Sequence, residues 1–133
     1  MQSLDEKKSL IQEMISFALV DGDLHDKEYD FIKMIAADLN IDKATFLLLF
    51  NERQKYVATK DEFSRISHFY RLALLMYCDG KTHEKEKERI REIGLKMALN
   101  PIAVEKVLER MQETENHMID GAMLLSIFQE QYN

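Results

Sequence analysis

Two short stretches carry most of the chemistry-bearing side chains. Residues 21–28 read Asp-Gly-Asp-Leu-His-Asp-Lys-Glu, and residues 79–86 read Asp-Gly-Lys-Thr-His-Glu-Lys-Glu. Asp21, Asp23, Asp26 and Glu28 in the first copy, and Asp79, Glu84 and Glu86 in the second, are oxygen donors of the kind that hold a hard divalent cation such as Ca, Mg or Mn. His25 stands three residues before Glu28, and His83 three before Glu86, a spacing that on one helical face could supply two ligands to Zn. Each copy has one histidine and no thiolate, which makes zinc the weaker expectation beside a hard cation. The Asp-x-Asp opening of the first copy is also too short, with its glycine too early, for the twelve-residue calcium loop of an EF-hand. The second copy replaces Asp23 and Leu24 by Lys81 and Thr82. Two equivalent cation sites are therefore not expected.

The same carboxylates have a purely structural use. An aspartate at the end of a helix faces the negative end of the backbone dipole, a penalty of roughly 0.3–1 kcal/mol at an exposed site, unless amides, a basic side chain or a cation lie nearby. A glutamate in the first turn of the next helix can accept free amide protons. Helix capping and cation binding are thus both open readings of these turns.

The elements that would position these residues are helices. Four glycines, one proline and 46% hydrophobic residues in 133 favour them. Ser3 and Glu6 have the spacing of a capping box before a first helix over about Leu4 to Val20. Asp21-Gly22 should end it, with glycine free to adopt the left-handed conformation. A second helix follows over about Asp26 to Leu39, with Phe31, Ile32, Ile35, Ala36 and Leu39 inward. Asp42 should cap a third, running through Phe46, Leu47 and Phe50 to about Arg53. Residues 54–60 then link to a fourth, capped by Thr59 with Glu62, in which Phe63, Ile66, Tyr70, Ala73, Leu74 and Tyr77 recur at helical spacing. A fifth should span about Glu84 to Ala98, with Ile90, Ile93, Gly94 and Met97 inward. Asn100-Pro101 opens a sixth, whose core face is Val104, Val107, Leu108 and Met111. A seventh, about Met118 to Gln131, has no counterpart in the first half and is apolar around much of its circumference, so it should pack across the seam.

The repetition is measurable. Over residues 21–35 and 79–93, seven of fifteen positions are identical: Asp21/Asp79, Gly22/Gly80, His25/His83, Lys27/Lys85, Glu28/Glu86, Ile32/Ile90 and Ile35/Ile93. Chance supplies about one match in such a window, so a supersecondary unit has been duplicated. The expectation is a single all-α domain over 1–133, with repeats at about 4–53 and 62–111 related by a pseudo-twofold and a C-terminal helix at about 118–131. The first and fourth helices should be the most buried pair.

Composition narrows the function. At this length roughly two thirds of the unfolded chain's surface is hidden on folding, enough for a real core. A formal charge of −6 argues against nucleic acid as a partner. The longest uncharged runs, Ala44–Phe50 and Leu72–Cys78, fall well short of the roughly 20 residues that span a bilayer. No secretion signal is read at the N-terminus, and Cys78 in an apolar run reads as a buried thiol in a reducing, cytoplasmic compartment. His68 and His117 read as surface or boundary residues. Met14, Met34, Met76, Met97, Met111 and Met123 read as gap fillers between helices. Glu84/Lys87, Glu86/Arg89 and Glu88/Arg91 are opposite charges three apart, the pattern of a solvated helix face.

An apolar helix end followed by Asp-Gly, then by glutamate six positions after the glycine and isoleucines at helical spacing, twice over, resembles the TerB-like family. The resemblance covers nearly the whole chain and implies a seven-helix, all-α domain. The family includes bacterial tellurite-resistance proteins and a segment of a membrane-anchored co-chaperone with a J domain, and its acidic positions have been proposed to hold divalent metal; neither a J domain nor an anchor is read in this sequence. No phosphate-binding glycine loop, nucleophile elbow or paired-histidine helix motif is present, so a catalytic role is not expected. The reading is a non-catalytic interaction or accessory module with a protein partner, linked to stress or tellurite-type resistance, and with a divalent cation at the acidic turns as a further expectation. A metal-dependent hydrolase and a scaffold whose acidic turns only cap helices are the alternatives. A homodimer is compatible with the apolar seventh helix.

Overall fold

The structure is a computed structural model that describes residues 3–19, 24–52, 57–78 and 84–132. It is all-α: α1 (Leu4–Ala18), α2 (Asp26–Asp38), α3 (Lys43–Asn51), α4 (Glu62–Met76), α5 (Glu84–Lys96), α6 (Pro101–Glu113) and α7 (Gly121–Gln129), with a short 3-10 turn at Glu130–Tyr132. The helix starts recur at one offset: Leu4 and Glu62, Asp26 and Glu84, and Lys43 and Pro101 are each 58 positions apart.

Caps explain where the helices begin. The Ser3 hydroxyl accepts the Glu6 N–H at 3.1 Å, Asp42 accepts from Thr45 at 2.7 Å, and Asn100 accepts from Ile102 and Ala103. For α4 the capping residue is Asp61, which accepts the Ser64 N–H at 2.9 Å, rather than Thr59. Asp61 is the 58-residue counterpart of Ser3, and a carboxylate two residues nearer the helix captures the free amides. Helix ends repeat too. Ile41 N–H donates to the Ala36 carbonyl and Leu99 N–H to the Gly94 carbonyl, both at 3.0 Å, across Asn40 (φ 61°) and Ala98 (φ 60°). This is the left-handed closure of a helix C-terminus, in the same register twice. The expected Asp-Gly closures at 21–22 and 79–80 lie outside the described residues.

One core draws residues from all seven helices. Ile11 and Met14 of α1 and Phe69 and Leu72 of α4 are essentially inaccessible, so these two helices are the central pair, as the apolar runs imply. Each such side chain contributes about 1.5–3 kcal/mol relative to an exposed one. Counterparts are buried alike: Ile32 and Ile90, Ile35 and Ile93, Leu39 and Met97, Leu49 and Val107.

The two halves differ in how the third helix sits. In the second half α6 packs against α5, because Gly94 leaves room for Val104, whose Cγ2 would lie 3.0 Å from an added Cβ. In the first half Ala36 occupies the counterpart of Gly94, and Tyr29, Phe46 and Phe50 form an aromatic cluster with ring centroids 5.3–5.8 Å apart. There α3 packs mainly on α1. The seventh helix is shorter than its apolar pattern suggests: Asp120 caps it by accepting the Met123 N–H at 2.8 Å, leaving Met118 and Ile119 in the approach. Only Leu124, Ile127 and Phe128 are buried, while Ala122 and Met123 face out, and its main packing is on α6 rather than across the seam. Met34, read as a gap filler, and Phe63, in the helical-spacing pattern of α4, are exposed, since each falls just off the buried stripe of its helix.

Candidate functional site

At the acidic turns the described residues separate into different environments. His25 is the N-cap of α2, in extended backbone, and so lies outside the helix rather than on a shared face with Glu28. Glu28 is buried, and its carboxylate accepts the His25 backbone N–H at 3.2 Å. That contact satisfies one of the free amides at the start of α2 and places negative charge at the positive end of its dipole. Asp26 is exposed. In the second copy Glu84 is exposed and lies 3.9 Å from Lys87, and Glu86 is half-buried. Asp21, Asp23, Asp79 and His83 lie outside the described residues. Among the described residues no three His, Cys, Asp or Glu side chains are grouped as metal ligands would be.

One contact joins the flanks of the two copies. Cys78 Sγ donates to the Lys27 carbonyl at 3.2 Å, tying the end of α4 to the first turn of α2. Cys78 is half-buried and not a core residue: α4 ends at Met76, so the apolar run Leu72–Cys78 outlasts its helix and the thiol meets a neighbouring turn instead.

A concavity lies elsewhere among the described residues. A cleft of about 600 Å³ opens between one face of α1 (Ser9, Gln12, Glu13, Ser16), the end of α3 (Leu49, Phe50, Asn51, Glu52) and α5, which contributes Arg89 and Lys96; Ile15 and Leu19 complete its apolar lining. Helical spacing aligns the four α1 residues on one stripe. Gln12 spends its amide on the Leu49 and Glu52 carbonyls, at 3.1 and 2.6 Å, and so closes the C-terminus of α3. Ser9 accepts the Val57 N–H at 2.8 Å, anchoring the following link to α1. None of the described residues of the acidic pattern, His25, Asp26, Glu28, Glu84 and Glu86, contributes to the described lining.

Behind the cleft sits a polar pair the sequence did not reveal. His68 is buried, not superficial, and its Nε2 lies 3.7 Å from Glu13 Oε1. That distance exceeds a hydrogen bond. His68 Nδ1 and Glu13 Oε1 are buried without a hydrogen-bond partner. Burial pushes the His68 pKa below its ordinary value; the Glu13 carboxylate opposes this, and the positive charge of Arg71 reinforces it. The signal was present in the repeat: His68 is the counterpart of Leu10, which is also buried. On the outer side, Tyr77 is packed face to face with His117 at 4.4 Å, and the His117 ring nitrogen Nδ1 lies 3.0 Å from the Met111 carbonyl. Glu84/Lys87 forms the expected ion pair, whereas Arg89 approaches Glu92 at 3.9 Å and Arg91 pairs with Glu105 across to α6.

Comparison with known proteins gives one finding. Residues 1–49 match a family model described as Tellurite resistance protein TerB. No curated protein and no solved structure matches the chain. No helix among the described residues is long and apolar enough to cross a membrane. The match spans α1, α2 and most of α3, the first of the two repeats, and supports the assignment of this chain to the TerB-like family.

Proposed function

We propose that this TerB-like chain is a non-catalytic helical interaction module that takes a protein partner in the cleft between α1, α3 and α5. The cleft itself carries the reading. Its lining mixes apolar side chains (Ile15, Leu19, Leu49, Phe50) with charged ones (Glu13, Glu52, Arg89, Lys96), and Leu19 is 42% exposed, a mixture that suits a protein surface better than a small apolar ligand. The family name points to tellurite-type resistance or a related stress as the setting. The test is affinity capture with the intact chain and with Ser16→Trp, in which an indole fills the cleft from an exposed position. A partner held by the first and lost from the second, with helicity and melting temperature unchanged, is the expected result; a partner held equally by both would contradict it.

A second reading concerns the acidic turns, and the Cys78–Lys27 contact favours it by bringing the flanks of the two copies together. In this reading the acidic turns respond to a divalent cation. Calcium, manganese or zinc then raises the melting temperature, by about 2.7 kcal/mol of stability at a hundredfold excess over Kd, and Asp21→Asn with Asp79→Asn removes the rise. No shift at millimolar metal would leave the turns as caps alone.

A further inference from the structure

Ionisable groups interrupt the apolar seam between the two central helices. The 58-residue offset pairs Leu10 of α1 with His68 of α4 and Glu13 of α1 with Arg71 of α4, so the seam differs between the halves by an imidazole for a leucine and a guanidinium for a carboxylate. His68 is 3% exposed and the Glu13 side chain 10%. Across the seam His68 Nε2 and Glu13 Oε1 stand 3.7 Å apart, too far for a hydrogen bond and near enough for opposite charges to attract. Oε1 has no donor, and the other ring nitrogen, Nδ1, has no partner. A neutral ring carries one N–H, so it either leaves Nδ1 a bare acceptor or turns the Nε2 lone pair toward the carboxylate; a protonated ring donates from both nitrogens. Unsatisfied buried atoms keep their desolvation cost, which a small movement of the pair can recover.

Few charges act on the ring. Burial pushes the His68 pKa down from 6.5, Glu13 of α1 pulls it up, and Arg71, one turn further along α4, pushes it down. Arg71 in turn feels the Asp38 carboxylate of α2. Arg65, one turn earlier on α4, donates instead to the Met97 carbonyl at 2.9 Å, and His117 lies against Tyr77 rather than His68. Among the described residues α2 and α5, which also pack on α4, add no charged group acting on the ring. We infer that His68 and Glu13 form a proton-operated contact across the α1–α4 seam, in which a proton taken from solvent onto the ring turns the unbonded pair into a charge-assisted hydrogen bond and draws the Glu13 carboxylate inward from the cleft wall. Such bonds are about 2.7–2.9 Å long, so the two groups close by roughly 1 Å. Glu13 lines the cleft with Gln12 and Ser16 of the same helix, so that wall feels the change. The closure occurs on the acid side of neutrality and weakens the fold as a whole, because the unfolded chain takes the proton more readily than the buried ring does. It is independent of what the cleft binds.

The test is an NMR titration of the isotope-labelled full chain from about pH 8 to about pH 5, reading the His68 ring, the Glu13 carboxyl carbon and the Gln12 and Ser16 amides, with circular dichroism marking where the chain unfolds. In the folded chain the ring is expected to titrate with a midpoint below 6.5, and the Glu13 carbon and both amides to move with that same midpoint. Glu13→Gln should lower the midpoint further and remove the response of the amides, whereas Arg71→Gln should raise it. Both substituted side chains are only partly buried, so the apolar core is left in place. A ring that stays neutral until the chain unfolds would overturn the inference on the unsubstituted chain alone. So would a titration that leaves the Glu13 carbon unmoved, or one whose midpoint is the same in Glu13→Gln.

Discussion

Residue 68 shows how the repeat constrains a single position. Its counterpart Leu10 packs in the core, whereas the histidine brings a buried ring nitrogen without a hydrogen-bond partner. A buried, neutral histidine with a lowered pKa contributes stability in full above the unfolded value near 6.5. That stability is lost as pH falls below 6.5 toward the lower folded value, because the unfolded chain binds the extra proton. His68→Leu should therefore flatten the fall in melting temperature between pH 6.5 and acid; an unchanged slope would show that His68 is not the group responsible. At the exposed caps the sign is the same and the window lower. Hydrogen bonds from Thr45 and from Ser64 hold Asp42 and Asp61 below the usual carboxylate value of 3.8, so their contribution is present above that value and fades below it. Histidine 68 was not legible because hydropathy ranks it polar and no carboxylate stands near it in the sequence. Only the offset to Leu10, and Glu13 reaching it from another helix, reveal its place. Cys78 misled for the opposite reason: the apolar run continued after the helix had ended.

At the scale of elements, three of the helix N-caps were legible because they depend on a few neighbouring residues. Ser3, Asp42 and Asn100 act where their spacing put them. Ala98 is an exception with a measurable cost. It takes the left-handed conformation that Asn40 takes at the counterpart position, at roughly 1–2 kcal/mol for a residue with a Cβ. Ala98→Gly should remove most of that strain and raise stability by about 0.5–1 kcal/mol, while Asn40→Val should lower it; thermal melts of the two variants check both signs. The different seating of α3 and α6 was not legible, because it turns on one Cβ and three rings meeting across helices. Gly94→Val should cost about 1–3 kcal/mol by pressing on Val104 and Phe69, and a neutral result would show that α6 can slide outward without penalty.

Over the whole molecule, the repeat made the helix order, the central pair and the shared core readable from sequence. It did not make the cleft readable. Nothing in Ser9, Gln12, Glu13 or Ser16 announces that Leu19 stays 42% exposed while its counterpart Tyr77 is covered. The acidic turns drew attention first because their residue types are chemically loud, yet Glu28 turns to its own helix's backbone, and the charged walls of the cleft come from three helices that the chain order keeps apart.

The most direct measurement places a photo-crosslinking residue at Ser16, inside the cleft, and in a second variant at Lys33, on the exposed face of α2, with each full chain expressed in its native cells. The account predicts a discrete adduct with one protein from position 16 and none from position 33. No adduct from position 16, or the same adducts from both, would contradict it.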